Sequence, residues 1–255
     1  MIYIHPIGGL GNMFFHIASI WTLAKDNDDE LCLLNVEKKI IDLINDRRCD
    51  IKHAVEYQYI FNRFPKKNGG ASRIIQYPFK YVPLTYHNET EYLGYYQCEE
   101  YFKHRRTELL ELFKPADEFV GEINKYQHLF GNISLHVRRG DYVTSRVHPA
   151  LQMNYFEEAL SHLPDDMKVL VFSDDLKWCK ENFIGERYVF INEIDYISMY
   201  LMSKMKHHVI ANSSFSWWGA WMSEYDDKIV TVPKNWFGAN TEYDGDLIPD
   251  NWIRI

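Results

Sequence analysis

The sequence predicts an α/β fold built on parallel sheets, and three observations carry the prediction. The second half holds five short runs rich in Val and Ile: NISLHVRR, MKVLVFS, RYVFI, HHVIA and DKIVTVP. Between the first four, and between the last two, apolar residues recur at helical spacing, as in YFEEALSHL, LKWCKENF and SFSWWGAWMSEY. Strands that alternate with helices in this way pair in parallel. The N-terminus repeats the pattern, and the 46% hydrophobic content of the 255 residues suffices for one large core or two modest ones.

Element by element, MIYIHPI reads as a strand, GGLGN as a glycine turn and FFHIASIWTLAKDND as a helix. LCLLN, residues 31 to 35, reads as a second buried strand. From 36 to 125 the periodicity is weak: helical pieces near 53 to 64 and 99 to 113 are separated by FPKKNGGAS, YPFKYVP and a TEYLGYYQ run. A polar, aperiodic stretch between about 115 and 131 divides the halves, giving domains 1–125 and 126–255.

Ligands of parallel sheets sit beyond the carboxyl ends of the strands. Three motifs fall there in the second half: Arg138-Arg139-Gly140-Asp141, Ser173-Asp174-Asp175 and Asn212-Ser213-Ser214. Arginine is suited to bidentate recognition of phosphate oxygens, and two adjacent guanidiniums raise the energy of an empty site unless an anion joins them. His136 shares a face with Arg138 if the strand continues, and Arg139 then points the other way. The alternative is an ion pair with Asp141 or Asp174, or a turn without a partner. Asp174 or Asp175 suits ribose hydroxyls or the N–H edge of a guanine, while Ser173 and Asp174 equally suit capping of the next helix. Ser213, Ser214 or Ser216 suits a helix cap that faces a phosphate. Phe215 suits a base or sugar wall as well as plain packing, and Trp217, Trp218 and Trp221 read as core. In the first half, Gly8, Gly9 and Gly11 suit either a close approach to an anion or a tight turn, with Asn12 as a helix cap.

Net charge of −8 argues against a nucleic-acid partner. Cys32, Cys49, Cys98 and Cys179 form no C-x-x-C, which points to free thiols rather than a zinc site. No signal peptide or spanning run is visible, so a cytoplasmic protein is expected, with peripheral contact at the inner membrane face left open. The RGD tripeptide would serve adhesion only on an exposed extracellular loop.

GGLGN, LGYYQ with YF five residues on, HVRRGDY, FSDD with a following WC, and NSSFSWWGAW occur in an order that resembles the α-1,2-fucosyltransferases of glycosyltransferase family 11. The resemblance covers residue 8 to about 221. It implies a GT-B-like architecture of two Rossmann-like domains facing a cleft, the first on the acceptor side and the second binding the GDP-sugar. It also implies GDP-β-L-fucose as donor, a glycan acceptor, no cofactor or required metal, and inversion to an α-1,2-fucoside of a galactoside.

By the same resemblance Arg138 holds the donor diphosphate, with Arg139, His136 and Asp141 as companions. Asn12, with Gly9 and Gly11 beside it, lies near the transferred sugar. Ser173, Asp174, Asn212 and the Ser213-Ser214-Phe215-Ser216 stretch hold the nucleotide. Asp141 is the candidate base, with Glu91 competing, or else it orients an arginine. Met13 and Tyr96 depart from the family's usual glutamine and tryptophan. The alternatives are a different sugar or linkage, or an inactive nucleotide- or glycan-binding module.

Overall fold

Three wholly buried residues, Ile2–Ile4, form β1 in the computed structural model, which describes residues 1–45, 54–75, 80–238 and 245–255. Helix α1, Leu10–Asp26, follows the glycine turn and buries Met13, Phe14, Ile17 and Ala18. Strand β2, Leu31–Leu34, is apolar throughout. Helix α2, Val36–Asn45, and the short α3, Gln58–Phe61, precede β3, Lys66–Lys67, and β4, Ser72–Ile75.

Strand β5, Thr90–Leu93, pairs in parallel with both β1 and β4. Across this all-parallel sheet the order is β3, β2, β1, β5, β4. The weak periodicity from 36 to 125 hides three of its strands, because β3 and β4 are largely exposed and β5 carries Thr90 and Glu91 inside. Helix α4, Arg106–Leu112, with two short turns before it, accounts for the helical piece near 99 to 113. Of YPFKYVP, residues 77 to 79 lie outside the described residues.

Contacts along the chain divide it into one unit of Met1–Arg47, Ile51–Ala116 and Asp244–Pro249, and another of Arg48–Asp50, Asp117–Tyr243 and Asp250–Ile255. Helix α5, Asp117–Asn124, thus belongs to the second unit, ahead of the division at 125 drawn from composition.

The second unit continues with β6 (Ile133–Val137), α6 (Met153–Ser161), β7 (Val169–Ser173), α7 (Leu176–Asn182) and β8 (Tyr188–Ile191). Then come α8 (Asp195–Ser203), β9 (His207–Val209), α9 (Ser214–Trp221), β10 (Val230–Val232) and β11 (Ile253–Arg254). All five Val/Ile-rich runs are strands, and β11 adds an exposed sixth that no apolar run announces. The sheet is parallel throughout, ordered β11, β10, β9, β6, β7, β8.

Ile133, Leu135 and Val137 of β6 share one core with Phe156, Val169, Val171 and Phe183. Trp217, Trp218 and Trp221 are buried, with Trp217 also 5.4 Å from Trp252, so the tryptophan stripe is core. Among the described residues no helix is long and apolar enough to cross a membrane. Cys32, Cys98 and Cys179 are buried free thiols, and Cys49 lies outside the described residues.

Candidate functional site

Strand order in the second unit reverses direction between β6 and β9, and loops leaving the carboxyl ends at such a point diverge to leave a crevice. Strand β6 ends at Val137, so strand alternation does not carry through to Arg138. From Gly140 to Val143 the chain makes a single tight helical turn. Arg138 donates from Nη2 to Asp141 Oδ1 at 2.6 Å and pairs through Nη1 with Asp174 Oδ2 at 3.0 Å, while its guanidinium lies 5.3 Å from the Tyr142 ring centre. Arg139 donates from Nε to Asp175 Oδ2 at 3.1 Å and lies 4.2 Å over the Trp178 ring. Its backbone N–H is given to Asp174 Oδ1 at 2.9 Å.

Two guanidiniums therefore meet three carboxylates, as the ion-pair alternative expects: aspartates of the chain itself supply counter-charge to both arginines. Burial works against the charge on Arg138, but Asp174 and Asp141 more than offset it and raise its pKa.

The FSDD segment is sorted by one residue. Asp175, and neither Ser173 nor Asp174, caps α7, its Oδ1 accepting from Trp178 N at 3.0 Å. Ser173 Oγ accepts from Asp175 N at 2.9 Å. Asp174 is left facing the arginine turn, where a Cβ on Gly140 would stand 2.6 Å from its Oδ2.

His136 is buried, lies 5.4 Å from the Phe215 ring, and has its pKa pushed down to about 3 by burial first and Arg138 second. It is a neutral imidazole there and adds no charge toward an anion. Asn212 spends its amide nitrogen on the carbonyls of Pro149 and Trp236, at 3.2 and 3.1 Å, and so ties two loops. Ser216 is fully buried with its hydroxyl on Ser213 O at 3.2 Å, which removes it from any phosphate-facing role. Ser213 occupies the cap position of α9 without a side-chain cap bond, and Ser214 and Phe215 open the helix half-exposed. Trp178 and Tyr142, the rings beneath the two guanidiniums, stand in the sequence inside the FSDD…WC and HVRRGDY motifs, which assign them no role of their own. A tryptophan three residues after a capping aspartate was the available signal for the first.

The first unit has its own reversal, between β1 and β5. Gly8 takes φ +68°, a conformation that side chains disfavour, and a Cβ there would stand 2.5 Å from Asn12 Nδ2. Gly9, not Asn12, holds the cap position of α1, and Gly11 is buried in its first turn. Asn12 instead folds back over the turn, its Oδ1 accepting from Gln97 Nε2 at 2.8 Å. Gln97 follows Tyr96, which is buried at φ +47°. Glu91 is 1% exposed and takes Arg73 Nε at 2.8 Å. A carboxylate so enclosed is poorly placed to meet an acceptor hydroxyl.

Residues 1–255 match the family model described as glycosyl transferase family 11. The chain is 36% identical over 182 residues to the O-antigen biosynthesis glycosyltransferase WbnK of Escherichia coli, a match spanning 64% of this chain and 59% of that relative. It is 28% identical to an alpha-1,2-colitosyltransferase of Escherichia coli, covering 97% of this chain and 96% of the other. To galactoside alpha-(1,2)-fucosyltransferase 2 of Oryctolagus cuniculus it is 24% identical, covering 99% and 76%. The solved fucosyltransferase NodZ from Bradyrhizobium shares the fold, with a TM-score of 0.50 at 14% identity over 86% of this chain and 91% of that one.

Proposed function

The chain belongs to glycosyl transferase family 11, and on that premise we propose that it moves L-fucose from GDP-β-L-fucose to the 2-hydroxyl of a galactoside in a glycan, with inversion and without a metal. The second unit takes the nucleotide and the first receives the acceptor. The observation that carries this reading is the Arg138–Arg139 pair held by carboxylates and aromatic rings where the strand order reverses.

The acceptor oxygen attacks C1 from the face opposite GDP, the C1–O bond to the β-phosphate breaks, and the acceptor proton leaves to a base or water. Negative charge builds on the phosphate as that bond lengthens. A guanidinium already in place stabilises it without reorganising solvent, and one such donor contributes about 3 kcal/mol, roughly a hundredfold in rate or more. The carboxylate that yields to the incoming diphosphate is Asp141, 42% exposed, whereas Asp174 is 16% exposed. Until the diphosphate arrives, Asp141 holds Arg138 Nη2, which supports an orienting role in the free protein over that of base. Ser213 and Ser214, with the amides opening α9, offer further donors to the nucleotide. Within the first unit, the turn of Gly9, Gly11 and Asn12 is the part this reading assigns to sugar recognition.

Likeness to the alpha-1,2-colitosyltransferase favours one second reading, in which the linkage stands and the sugar is colitose. The test is a thermal melt with GDP under excess chelator, followed by turnover of GDP-fucose and GDP-colitose on a galactoside array. A rise in melting temperature with chelator present and fucosyl transfer are expected. A shift that returns only with magnesium or manganese overturns the metal-free claim, and GDP binding without turnover of either sugar marks a binding module.

A further inference from the structure

We infer that Asp174 is a positioning residue of the anion site and does not read the nucleotide: it fixes the Arg138 fork and the Arg139 backbone while one edge of Arg138 stays available to phosphate. The inference rests on the diphosphate reading above. Both carboxylate oxygens of Asp174 are engaged, Oδ2 by Arg138 Nη1 at 3.0 Å and Oδ1 by Arg139 N at 2.9 Å. Gly140 closes over Oδ2 so tightly that a single added carbon would stand 2.6 Å from it. A carboxylate turned into that pocket cannot face a ribose or a guanine edge without leaving three neighbours at once.

Division of labour along FSDD follows. Asp175 caps α7 and braces Arg139 from the side, and Asp174 reaches back to the turn after β6. The Arg139 amide is consumed by Asp174, so at this turn anion recognition passes to side chains. Arg138 presents Nη1 to the enclosed Asp174 and Nη2 to the half-exposed Asp141. When a diphosphate displaces Asp141, Nη2 turns to the ligand while Nη1 stays anchored. The planar fork of arginine allows both contacts at once.

The experiment compares GDP with IDP, which lacks the 2-amino group, and with 2′-deoxy-GDP, by calorimetric titration of the unmodified protein, Asp174→Asn, Arg138→Ala and the double variant. For Asp174→Asn we expect GDP affinity to fall about tenfold or more, with the GDP/IDP and GDP/2′-deoxy-GDP ratios unchanged. In the Arg138→Ala background the same change should cost less than about twofold, since partners acting through one contact are not additive. Collapse of either ratio toward unity assigns Asp174 to base or ribose and overturns the inference, as do an unchanged GDP affinity or full additivity with Arg138→Ala. If Asp174→Asn does not fold, Gly140→Ala displaces the carboxylate while keeping its charge, and the same ratios decide. Failure of the unmodified protein to bind GDP sinks the donor reading itself, whereas every other adverse result leaves that reading standing.

Discussion

Gly140→Ala perturbs the arginine turn by one carbon. The backbone there is outside the left-handed region, so the added Cβ meets resistance only from its surroundings. It would stand 2.6 Å from Asp174 Oδ2, where ordinary contact begins near 3.4 Å, so the carboxylate must retreat by about 0.8 Å, the difference of the two. A retreat of that size stretches the 3.0 Å contact with Arg138, the 2.9 Å contact with Arg139 N, or both, beyond hydrogen-bond length. Overpacking of this kind costs about 1–3 kcal/mol, and a weakened hydrogen bond to a charged group falls in a similar range, the two being one event rather than a sum. Each kcal/mol lowers the melting temperature of a domain of this size by roughly 2–4 °C. Thermal unfolding and GDP titration of the variant should show a lower melting temperature together with weaker GDP binding. Melting within a degree of the parent, with equal GDP affinity, would refute the reasoning.

Two further outcomes are expected. Arg138→Lys keeps the charge but has one nitrogen where Arg138 uses two, so transfer should fall about a hundredfold or more with circular dichroism unchanged and melting lowered by only roughly 2–4 °C per lost contact; near-parental turnover would move the phosphate role elsewhere. Stability should also fall as pH drops from 6.5 toward 4, because His16, buried and donating from Nε2 to Tyr92 O at 2.8 Å, has its pKa lowered from 6.5 to about 4, chiefly by burial. In that window the unfolded chain takes up the proton and the folded one does not, worth about 3 kcal/mol at full extent. Denaturant melts of His16→Gln should therefore show a shallower decline over this range, and a slope equal to the parent's would remove His16 as the cause.

Much of the second unit was legible because β6 and β7 are buried and rich in aliphatic residues and the buried β9 leads into Ile210 and Ala211, and the ends of these runs delivered the three motifs to one edge. What escaped was decided by single residues. Nothing in the chemistry of two adjacent aspartates says which will cap α7; the helix begins at Leu176, and that start assigns Asp175. Ser213, Ser214 and Ser216 look alike in sequence, but Ser216 turns fully inward to the carbonyls of Ser213 and Ala211. Likewise, α1 begins early enough that Gly9 caps it and Asn12 is freed to meet Gln97 across the sheet's reversal. Strand β5 was hidden because Glu91 breaks its apolar run, an interior carboxylate tolerated there by Arg73.

Because Asp141, Asp174 and Asp175 accompany Arg138 and Arg139 in the free protein, the mouth of the second sheet carries little surplus positive potential at rest. Chloride or a single orthophosphate arriving there must evict a tethered carboxylate whose local concentration far exceeds its own, and has little else to hold. A diphosphate joined to a nucleoside brings several contacts in one molecule and can complete the exchange. On the donor reading, the internal aspartates are expected to filter against the small anions of the surrounding solution, so that selectivity begins with the counter-charges the chain supplies itself.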